Sequence, residues 1–415
     1  MVQPSQHRSA TTLKPVEQAR EHLLQVVRNR CTSETLPLSE ALGRILAEEV
    51  IAAVDVPPWD NSAMDGYAIN VSELAGEPVL PVSQRITAGS SPKPLEPGSA
   101  ARIFTGAPVP QGADAVVMQE NCETVDSGSG AYSVRVLETP AAGANVRRRG
   151  TDIQKGSQLF PSGYRLQAAD LGMLASTGVS QLTVGSLPRV AILTTGDELV
   201  APGQSLAPGQ IYNSNAVTLQ ALLSGLGIVP IEVRHVADTL AETQSVLREL
   251  AQSCDCIIST GGVSAGEEDH VRSALQTEGG LDIWKLALKP GKPFAFGHLQ
   301  RTLFFGLPGN PVSAFVTFVL LVRPALLAWM GAARPLATSW PVRADFERPV
   351  ASEREEYLRV RCRENDGQVW AGPLADQSSG VLSSIHAADG LAVVPAGKTL
   401  AIGDTLRFFA FSDIV

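Results

Sequence analysis

The sequence is poor in the residues that mark several common classes of protein. Aromatic residues make up 5% of its 415 residues, and the formal net charge is −9. An acidic chain lacks the bulk positive charge with which many nucleic-acid-binding proteins attract phosphate backbones, so we expect no nucleic-acid partner. Any anionic ligand must therefore be held by local groups of basic residues.

Cysteines and exposed apolar runs are also scarce. The five cysteines, an odd number, form no CxxC pair. We therefore expect reduced, mostly buried thiols in a reducing, cytoplasmic compartment, and neither disulfides nor a zinc site. The N-terminal segment has no apolar run typical of a secretory signal. Arg323 and Pro324 interrupt the apolar run Pro311–Met330, which predicts a buried helix and no membrane span.

What the chain does contain predicts several domains around sizeable cores. Apolar residues make up 44% and charged residues 18%, while 37 glycines and 28 prolines indicate many turns. Helical spacing covers Pro15–Arg28, and Leu36–Val50 has the pattern of a turn leading into a short helix. Residues 51–145 show short apolar runs between Pro/Gly turns, typical of β structure. A helix is expected around Leu166–Ser176.

From Val190 onward, strand patterns and helix patterns alternate. This alternation predicts a doubly wound, mostly parallel α/β sheet with helices on both faces. After Gly331–Pro335 the short strands and turns return, which predicts a small β-barrel or a sandwich.

Three glycine-rich loops follow predicted strands, where ligands gather in doubly wound sheets. They are Thr194–Leu199 (TTGDEL), Ser259–Gly266 (STGGVSAG) and Leu307–Ala314 (LPGNPVSA). Bare backbone amides and helix N-termini suit phosphates or oxyanions. Each loop alone could be an ordinary tight turn, but three at strand ends favour a binding site.

A lysine-rich segment, KLALKPGKPFAFG, contains Lys285, Lys289 and Lys292. If it is one strand, Lys285 and Lys289 project from the same face, and a bound anion would relieve their repulsion. The alternative is a solvated edge strand protected by lysines.

Acidic residues crowd the end of the second loop. Glu267, Glu268 and Asp269 could be ordinary first-turn acids of a helix. Alternatively one of them, with Asp269 the best candidate, coordinates Mg²⁺ that bridges to a bound phosphate. No Ser–His or Cys–His nucleophile stands out, so we expect no covalent protein intermediate.

Two further motifs lie upstream. PPWDNSAMDGYAI (Pro57–Ile69) is a compact turn cluster rich in acids, and RRRGTDI (Arg147–Ile153) groups three arginines before a glycine turn. An arginine group of this kind suits oxyanions, or it is a solvated face.

Taken together and in order, these segments resemble the MoeA family of molybdopterin molybdenumtransferases, which includes the E domain of gephyrin. The resemblance covers nearly the whole chain. It implies insertion of molybdate into adenylylated molybdopterin with Mg²⁺-dependent release of AMP, in a homodimer whose site lies between subunits. Because the chain contains only one such α/β pattern, we also expect transient contact with the molybdopterin adenylyltransferase that supplies the intermediate.

The resemblance implies a division into four domains. An elongated linker and dimerisation domain takes 14–50 and 146–180, and a β-rich domain takes 51–145. The molybdopterin-binding α/β domain takes 181–331, and a C-terminal β-barrel takes 332–415.

Matching positions in the family's motifs imply three sets of site residues. The catalytic set is Asp65, Asp152, Glu198, Asp269, Lys285 and Lys289. The metal set is Glu198, Asp238 and Asp269. The substrate-binding set is Thr105, Thr195, Gly196, Gly261, Gly262, Ser264, Gly266, Lys292, Pro308, Gly309, Asn310 and Ser313. Arg359 or Arg361, and Ser378 or Ser379, complete the family's pattern.

Two alternatives stay open at this point. The first is a nucleotide-processing or adenylyltransferase enzyme built on the same α/β domain, as in CinA-like proteins. The second is a gephyrin-like scaffold without catalysis. Nothing in the residues distinguishes molybdate from tungstate.

Overall fold

The computed structural model describes residues 13–74, 79–126, 132–262 and 270–414. The chain opens with helix α1 (Val16–Arg28) and continues through the short strands β1 (Ser33–Pro37) and β2 (Val50–Ile51). Helix α1 buries Val16, Ala19, Leu23 and Val27 along one face. This confirms the predicted N-terminal helix, because the buried positions recur at helical spacing.

A β-rich sheet follows. The strands of this part of the chain are β3 (Asn61–Ser62), β4 (Gly66–Ile69), β5 (Val79–Ile86), β6 (Ala100–Ile103), β7 (Ala115–Met118), β8 (Cys122–Asp126) and β9 (Tyr132–Val136). Six of them form one sheet in the order β7-β4-β6-β5-β9-β8. Alternate residues of β4 enter two separate apolar clusters, Tyr67 and Ile69 on one side and Ala68 on the other. Both faces of this sheet are therefore buried.

The chain then returns to its first elements. Strands β10 (Val146–Arg147), β11 (Gln158–Phe160) and β12 (Gln181–Gly185) surround helix α2 (Ala168–Ser176). Each strand pairs antiparallel with an earlier one: β10 with β3, β11 with β2, and β12 with β1. These pairings join the two halves of the chain that flank the β-rich sheet.

The central α/β part contains the longest run of alternating elements. They are β13 (Val190–Thr195), β14 (Leu199–Val200), β15 (Ile211–Tyr212), α3 (Ser214–Ser224), β16 (Glu232–Val236), α4 (Leu240–Ser253), β17 (Cys256–Thr260), α5 (His270–Glu278), β18 (Gly280–Lys285), β19 (Leu288–Lys289), β20 (Pro293–Leu299), β21 (Thr302–Leu307), α6 (Pro311–Thr317) and α7 (Arg323–Trp329). A π-helical segment, Phe318–Val322, joins α6 to α7.

The central sheet has the strand order β16-β13-β17-β21-β20-β18. Strands β16, β13, β17 and β21 are mutually parallel. Strand β20 pairs antiparallel with β21, and β18 pairs antiparallel with β20, so β20 is the one reversed strand of this sheet. Ile192 and Ile258 pack into the cluster that contains α6 and α7, while Leu193 and Ile257 pack on the opposite face with α4 and α5. Helices thus cover both faces, which confirms the predicted doubly wound, mostly parallel sheet.

The apolar helix Pro311–Trp329 has the length and composition of a membrane span, but its most apolar window is entirely buried inside the molecule. It packs in the largest apolar cluster beside α1 and the central strands. The predicted buried helix is confirmed.

The C-terminal part forms a closed barrel. Its elements are β22 (Trp340–Ala344), β23 (Glu355–Asn365), β24 (Gln368–Pro373), α8 (Ser383–Ala387), β25 (Gly390–Val394), β26 (Thr405–Ala410) and α9 (Phe411–Ile414). The pairings run β23-β24-β22-β26-β25, and β25 pairs again with β23. Of the two alternatives that the sequence left open, the structure selects the barrel.

Three expectations need correction. Leu36–Val50 forms no helix beyond the 3₁₀ turn Leu38–Glu40, because its apolar residues instead pair and pack against β12 and α2. The lysine-rich segment is not one strand: the chain breaks between β18 and β19, so Lys285 and Lys289 lie in different strands. All five cysteines are free thiols, but Cys254 and Cys256 alone are buried, whereas Cys122 and Cys362 are half-buried and Cys31 is exposed, so the expectation of mostly buried thiols is wrong.

Candidate active site

A cavity of about 1060 Å³ opens where the parallel strands β13, β17 and β21 end, and the C-terminal barrel closes its other side. The carboxyl edge of a parallel sheet is the usual position of a ligand site in this type of fold. The lining includes these residues from the predicted set: Thr195, Glu198, Gly261, Lys289, Lys292, Pro308, Gly309, Asn310 and Ser313.

The loops after β13 and β17 touch each other at the base of the cavity. Gly261 has a φ of 88°, and a Cβ atom there would lie 3.0 Å from both the carbonyl oxygen and Oγ1 of Thr195. A larger residue would therefore push the two loops apart. The Glu198 carboxylate lies over Gly196, since a Cβ on that glycine would be 2.5 Å from Glu198 Oε2. Gly196 and Gly262 do not line the cavity themselves, but each directly follows a residue that does, Thr195 and Gly261 respectively.

The third loop leads into the N-terminus of α6. The side chain of Asn215 donates a hydrogen bond to the Gly309 carbonyl (2.7 Å), which joins this loop to α3. The amide of Val312 donates to the Ser379 carbonyl (3.1 Å), which ties α6 to the barrel. The lining therefore combines three strand-end loops with a loop of the barrel, and the backbone amides of these loops suit anionic groups.

Basic side chains line the side of the cavity formed by residues 289–293 and the barrel. Lys289 Nζ lies 2.8 Å from Glu356 Oε1, and the Glu356 side chain is 7% exposed. Lys292 has no carboxylate partner among the residues the structure describes. Arg354, whose Nη1 lies 3.5 Å from the Leu288 carbonyl oxygen, also lines the cavity. Lys292 and Arg354 are consequently the cations whose charge is least compensated by the protein.

Lys285 lies beside this group without lining the cavity. It ends β18 opposite Pro293, which is a lining residue. Its carbonyl accepts a hydrogen bond from the Lys14 amide (2.8 Å), and the chain turns there into β19. The turn is the physical reason why Lys285 and Lys289 do not share one sheet face.

The predicted metal ligands lie at neighbouring strand ends. Glu198 follows β13, and Asp238 follows the adjacent parallel strand β16, with its amide donating to Asp197 Oδ1 (3.0 Å). Asp269, Ser264 and Gly266 lie outside the described residues. Within the described ranges, no group of three or more His, Cys, Asp or Glu side chains is arranged to hold a metal ion.

Asp65 and Thr105 form a second centre, on the β-rich sheet. Asp65 Oδ1 accepts hydrogen bonds from both the amide and the hydroxyl of Thr105, each 2.7 Å long. The amide bond first, then the hydroxyl bond, and the charge of Arg102 more weakly, hold the pKa of Asp65 below its usual value. Asp65 and Thr105 are not among the residues that line the cavity.

The arginine motif has mostly internal partners. Arg148 pairs with Asp60 (2.6 Å), and Arg149 pairs with Asp55. Asp152 is exposed, donates its amide to the Val56 carbonyl (3.0 Å) and does not line the cavity. The ion pairs of Arg148 and Arg149 therefore join this motif to the segment that precedes β3.

Several lining residues escaped the sequence analysis, among them Arg354, Asn215, Tyr212 and Gln377. Tyr212 and Asn215 both belong to the segment IYNSN (Ile211–Asn215) and could have been found there, whereas Arg354 reaches the site only because β19 pairs with β23. Ser378 and Ser379 both line the cavity. Arg359 is 1% exposed and does not line the cavity, but it donates a hydrogen bond to the Ser378 carbonyl (3.0 Å) and so holds the loop that carries Ser378 and Ser379. Arg361 instead donates to the Ala387 carbonyl.

Comparison with known protein families matches three consecutive regions. Residues 14–178 match the MoeA N-terminal region (domains I and II), residues 191–328 match the probable molybdopterin binding domain, and residues 341–411 match the MoeA C-terminal region (domain IV).

Individual proteins agree with this assignment. The chain is 41% identical over 317 residues to a molybdopterin molybdenumtransferase of Haemophilus influenzae, covering 76% of this chain and 78% of that protein. A molybdopterin molybdenumtransferase of Nostoc sp. is 39% identical, covering 88% and 86%. The crystal structure of a molybdopterin biosynthesis MoeA protein from Pyrococcus horikosii superimposes with a TM-score of 0.79 at 31% identity, covering 96% and 99%.

Proposed function

The chain belongs to the MoeA family of molybdopterin molybdenumtransferases, and from this premise we propose that it inserts molybdate into adenylylated molybdopterin and releases AMP. The observation that carries the proposal is the strand-end cavity, which combines amide-rich loops with basic side chains. A phosphate-linked substrate and a tetrahedral oxyanion both need such groups.

The positions of the cations suggest where the oxyanion binds. Lys292 and Arg354 face the cavity together with the hydroxyl-bearing residues Ser313 and Ser378. Lys289 is already paired with a buried carboxylate, so its charge is partly compensated. We therefore assign molybdate to the Lys292–Arg354 side, and the phosphates of the pterin dinucleotide to the loops at Gly261 and Gly309.

The donor set also fits Mg²⁺. This ion keeps several waters and is held by one or two carboxylates together with substrate phosphates, so a preformed group of three acids is not needed. Glu198, which lines the cavity, would hold it. Asp238, which follows the adjacent strand β16 outside the lining, and Asp269 are the further candidates. When bound, Mg²⁺ supplies charge neutralisation and polarisation of the phosphoanhydride. The protein's lysines and loop amides orient the phosphates and the oxyanion for the transfer.

A homodimer is part of the same proposal. Asp65, Thr105 and Asp152 do not line the cavity of their own chain, so a second copy would bring them to it. Transient contact with the adenylyltransferase that supplies the substrate, and a cytoplasmic location consistent with the free thiols, complete the proposal.

The test measures AMP release by the purified protein supplied with adenylylated molybdopterin, molybdate and Mg²⁺. A parallel reaction with free molybdopterin and MgATP separates this activity from adenylyl transfer. AMP release that depends on molybdate supports the proposal. Consumption of ATP with free molybdopterin, or no turnover of either substrate, overturns it.

Lys292→Ala tests the oxyanion assignment. A charge-assisted hydrogen bond contributes about 1.5–3 kcal/mol, so we expect the KM for molybdate to rise about 10- to 100-fold. Lys398→Ala is the matched control, because Lys398 is an exposed lysine of the barrel outside the cavity. An unchanged KM in Lys292→Ala would place molybdate elsewhere.

A further inference from the structure

We propose that Arg102 is a positioning residue that holds the Asp65–Thr105 pair in its working geometry through a fork of two hydrogen bonds. The proposal rests on the proposed function only in that it takes Asp65 to act in the transfer reaction. It concerns the β-rich sheet, away from the residues that line the cavity.

The fork joins the start of β4, directly after Asp65, to the residue that follows β7. Arg102 Nη1 donates to the Gly66 carbonyl (2.9 Å) at the start of β4. Its Nη2 donates to Gln119 Oε1 (2.7 Å), just after β7. The Gln119 amide in turn donates to the carbonyl of Asp65 itself (3.0 Å). One guanidinium therefore holds the Gly66 carbonyl directly and the Asp65 carbonyl through Gln119, because its two amino nitrogens are separate donors in a fixed plane.

The same strand supplies both supports of Asp65. Arg102 lies in β6 opposite Tyr67, and Thr105 follows the end of β6. Thr105 holds the carboxylate oxygen, and Arg102 holds the main chain that carries it. A displacement of β6 would move both supports together, so the geometry of the pair depends on the anchoring of this strand.

Aromatic rings keep the guanidinium in place. The Arg102 Cζ atom lies 5.2 Å from the Tyr67 ring centroid and 4.6 Å from that of Phe104. Tyr67 is 7% exposed, so the guanidinium of Arg102 packs against a buried ring. Stacking and two hydrogen bonds leave the side chain little rotational freedom, as a positioning role requires.

Arg85 provides a matched control in the same location. Its Cζ atom lies 4.7 Å from the Phe104 ring, about as close as that of Arg102. Among the residues that the structure describes, however, it forms no hydrogen bond to the segment around Asp65. Arg85→Gln therefore removes a stacked cation without removing the fork.

The charged and titratable groups near Asp65 matter for reading a pH profile. Arg102 is the charged group that acts on Asp65, and Arg102 itself acts on Cys122 and Tyr132, whose other charged or titratable neighbours are Arg85, Glu120 and Tyr67.

The experiment compares kcat, KM and the pH dependence of AMP release in wild type, Arg102→Gln, Arg102→Lys, Arg85→Gln and Asp65→Asn. For Arg102→Gln we expect kcat to fall about 10- to 100-fold with little change in KM, because a small misplacement of a reacting group lowers the rate of the chemical step. The acid limb of the profile moves to higher pH, because loss of the cation raises the pKa of Asp65. Arg102→Lys restores the acid limb but leaves kcat low, since the single ammonium nitrogen cannot occupy the positions of both Nη1 and Nη2.

Gln119→Ala keeps the proposal testable should Arg102→Gln fold poorly. Gln119 is exposed, and its loss removes one arm of the fork while Arg102 stays charged, so we expect a smaller fall in kcat. The proposal is overturned if Arg102→Gln and Gln119→Ala keep wild-type kcat, or if Arg85→Gln is as impaired as Arg102→Gln. If Asp65→Asn is fully active, the assignment of Asp65 to the site fails. If Asp65→Asn is inactive while Arg102→Gln is normal, the Arg102 proposal fails alone.

Discussion

At the scale of single residues, the hydroxyl of Thr105 offers a direct test of how Asp65 is kept charged. Thr105→Val removes one of the two hydrogen bonds to Asp65 Oδ1 and leaves the amide bond in place. We therefore expect the pKa of Asp65 to rise part of the way toward its ordinary value. Carbon-13 NMR of labelled aspartate carboxyls, with the signal assigned from Asp65→Asn, measures this directly.

The same substitution has a defined effect on stability. A carboxyl with a lowered folded-state pKa contributes stability above its unfolded-state pKa, and this contribution is lost as pH falls through the folded-state value. The difference in melting temperature between wild type and Thr105→Val should thus be largest near neutral pH and shrink in acid. Thr105→Ser, which keeps the hydroxyl, should follow the wild type. A difference that grows in acid would mean that the bond does not favour the charged carboxyl.

Residues in the strand-end loops could be predicted because the chemistry is local. Gly261, Gly309 and Lys292 each belong to a short segment whose composition alone indicates anion binding, and all three line the cavity. Arg354 could not be predicted in this way. It has no motif around it, and it reaches the cavity through the parallel pairing of β19 with β23, which joins segments far apart in sequence.

At the scale of elements, we expect the conformation of the loop between β19 and β20 to require glycine at position 291, where a side chain would collide with α6. Gly291 has a φ of 113°, and a Cβ atom there would lie 2.6 Å from Thr317 Oγ1 in α6. Gly291→Ala combines a strained backbone with this clash, and we expect it to destabilise the protein by about 1–3 kcal/mol. Lys292 lies in this loop and Lys289 directly precedes it, so molybdate binding should weaken as well. Thermal unfolding and a molybdate titration measure the two effects.

The control is Gly203→Ala. Gly203 has a φ of 95° but no atom within 4 Å of the built Cβ position, so this variant carries the backbone strain without the clash. Thr317→Ala in the Gly291→Ala background should recover part of the loss, because the Thr317 hydroxyl is buried and makes no hydrogen bond. Equal destabilisation by the two glycine variants would show that packing against α6 is unimportant.

Elements with strong periodicity were predictable, and those defined by distant pairing were not. Helices α1, α3 and α4 follow patterns that their own sequences contain. Leu36–Val50 has similarly spaced apolar residues, yet it forms no such helix. Leu36 pairs with Leu182 in a strand, and Ile45 and Leu46 form isolated bridges to Arg165 and Val184. Tertiary pairing overrides local helix propensity in such a segment.

At the scale of the whole molecule, the sequence predicted the architecture, because alternating strands and helices permit few arrangements. It could not place the β-rich sheet relative to the cavity. Of the residues that the structure describes, those that line the cavity belong to the α/β part and the barrel, from Thr195 to Leu382. In the proposed homodimer, a second copy would bring Asp65 and Asp152 to this cavity.

Heterodimers provide the decisive test of this arrangement. A dimer of one Asp65→Asn chain and one Lys292→Ala chain, isolated with two affinity tags, contains one site with both changes and one site with neither if the sites are shared. We therefore expect about half the wild-type rate of AMP release from this pair, since the two sites of a symmetric dimer are equivalent.

The control dimer pairs a wild-type chain with a chain that carries both substitutions. If each site combines the cavity of one chain with Asp65 of the other, both sites of this dimer contain one substitution, and its activity should be close to that of the single variants. If each site lies within one chain, the wild-type chain stays intact and the control keeps about half the activity, while the first dimer loses it. The two dimers have the same composition and differ only in which chain carries each change, so unequal stability or expression cannot imitate the result.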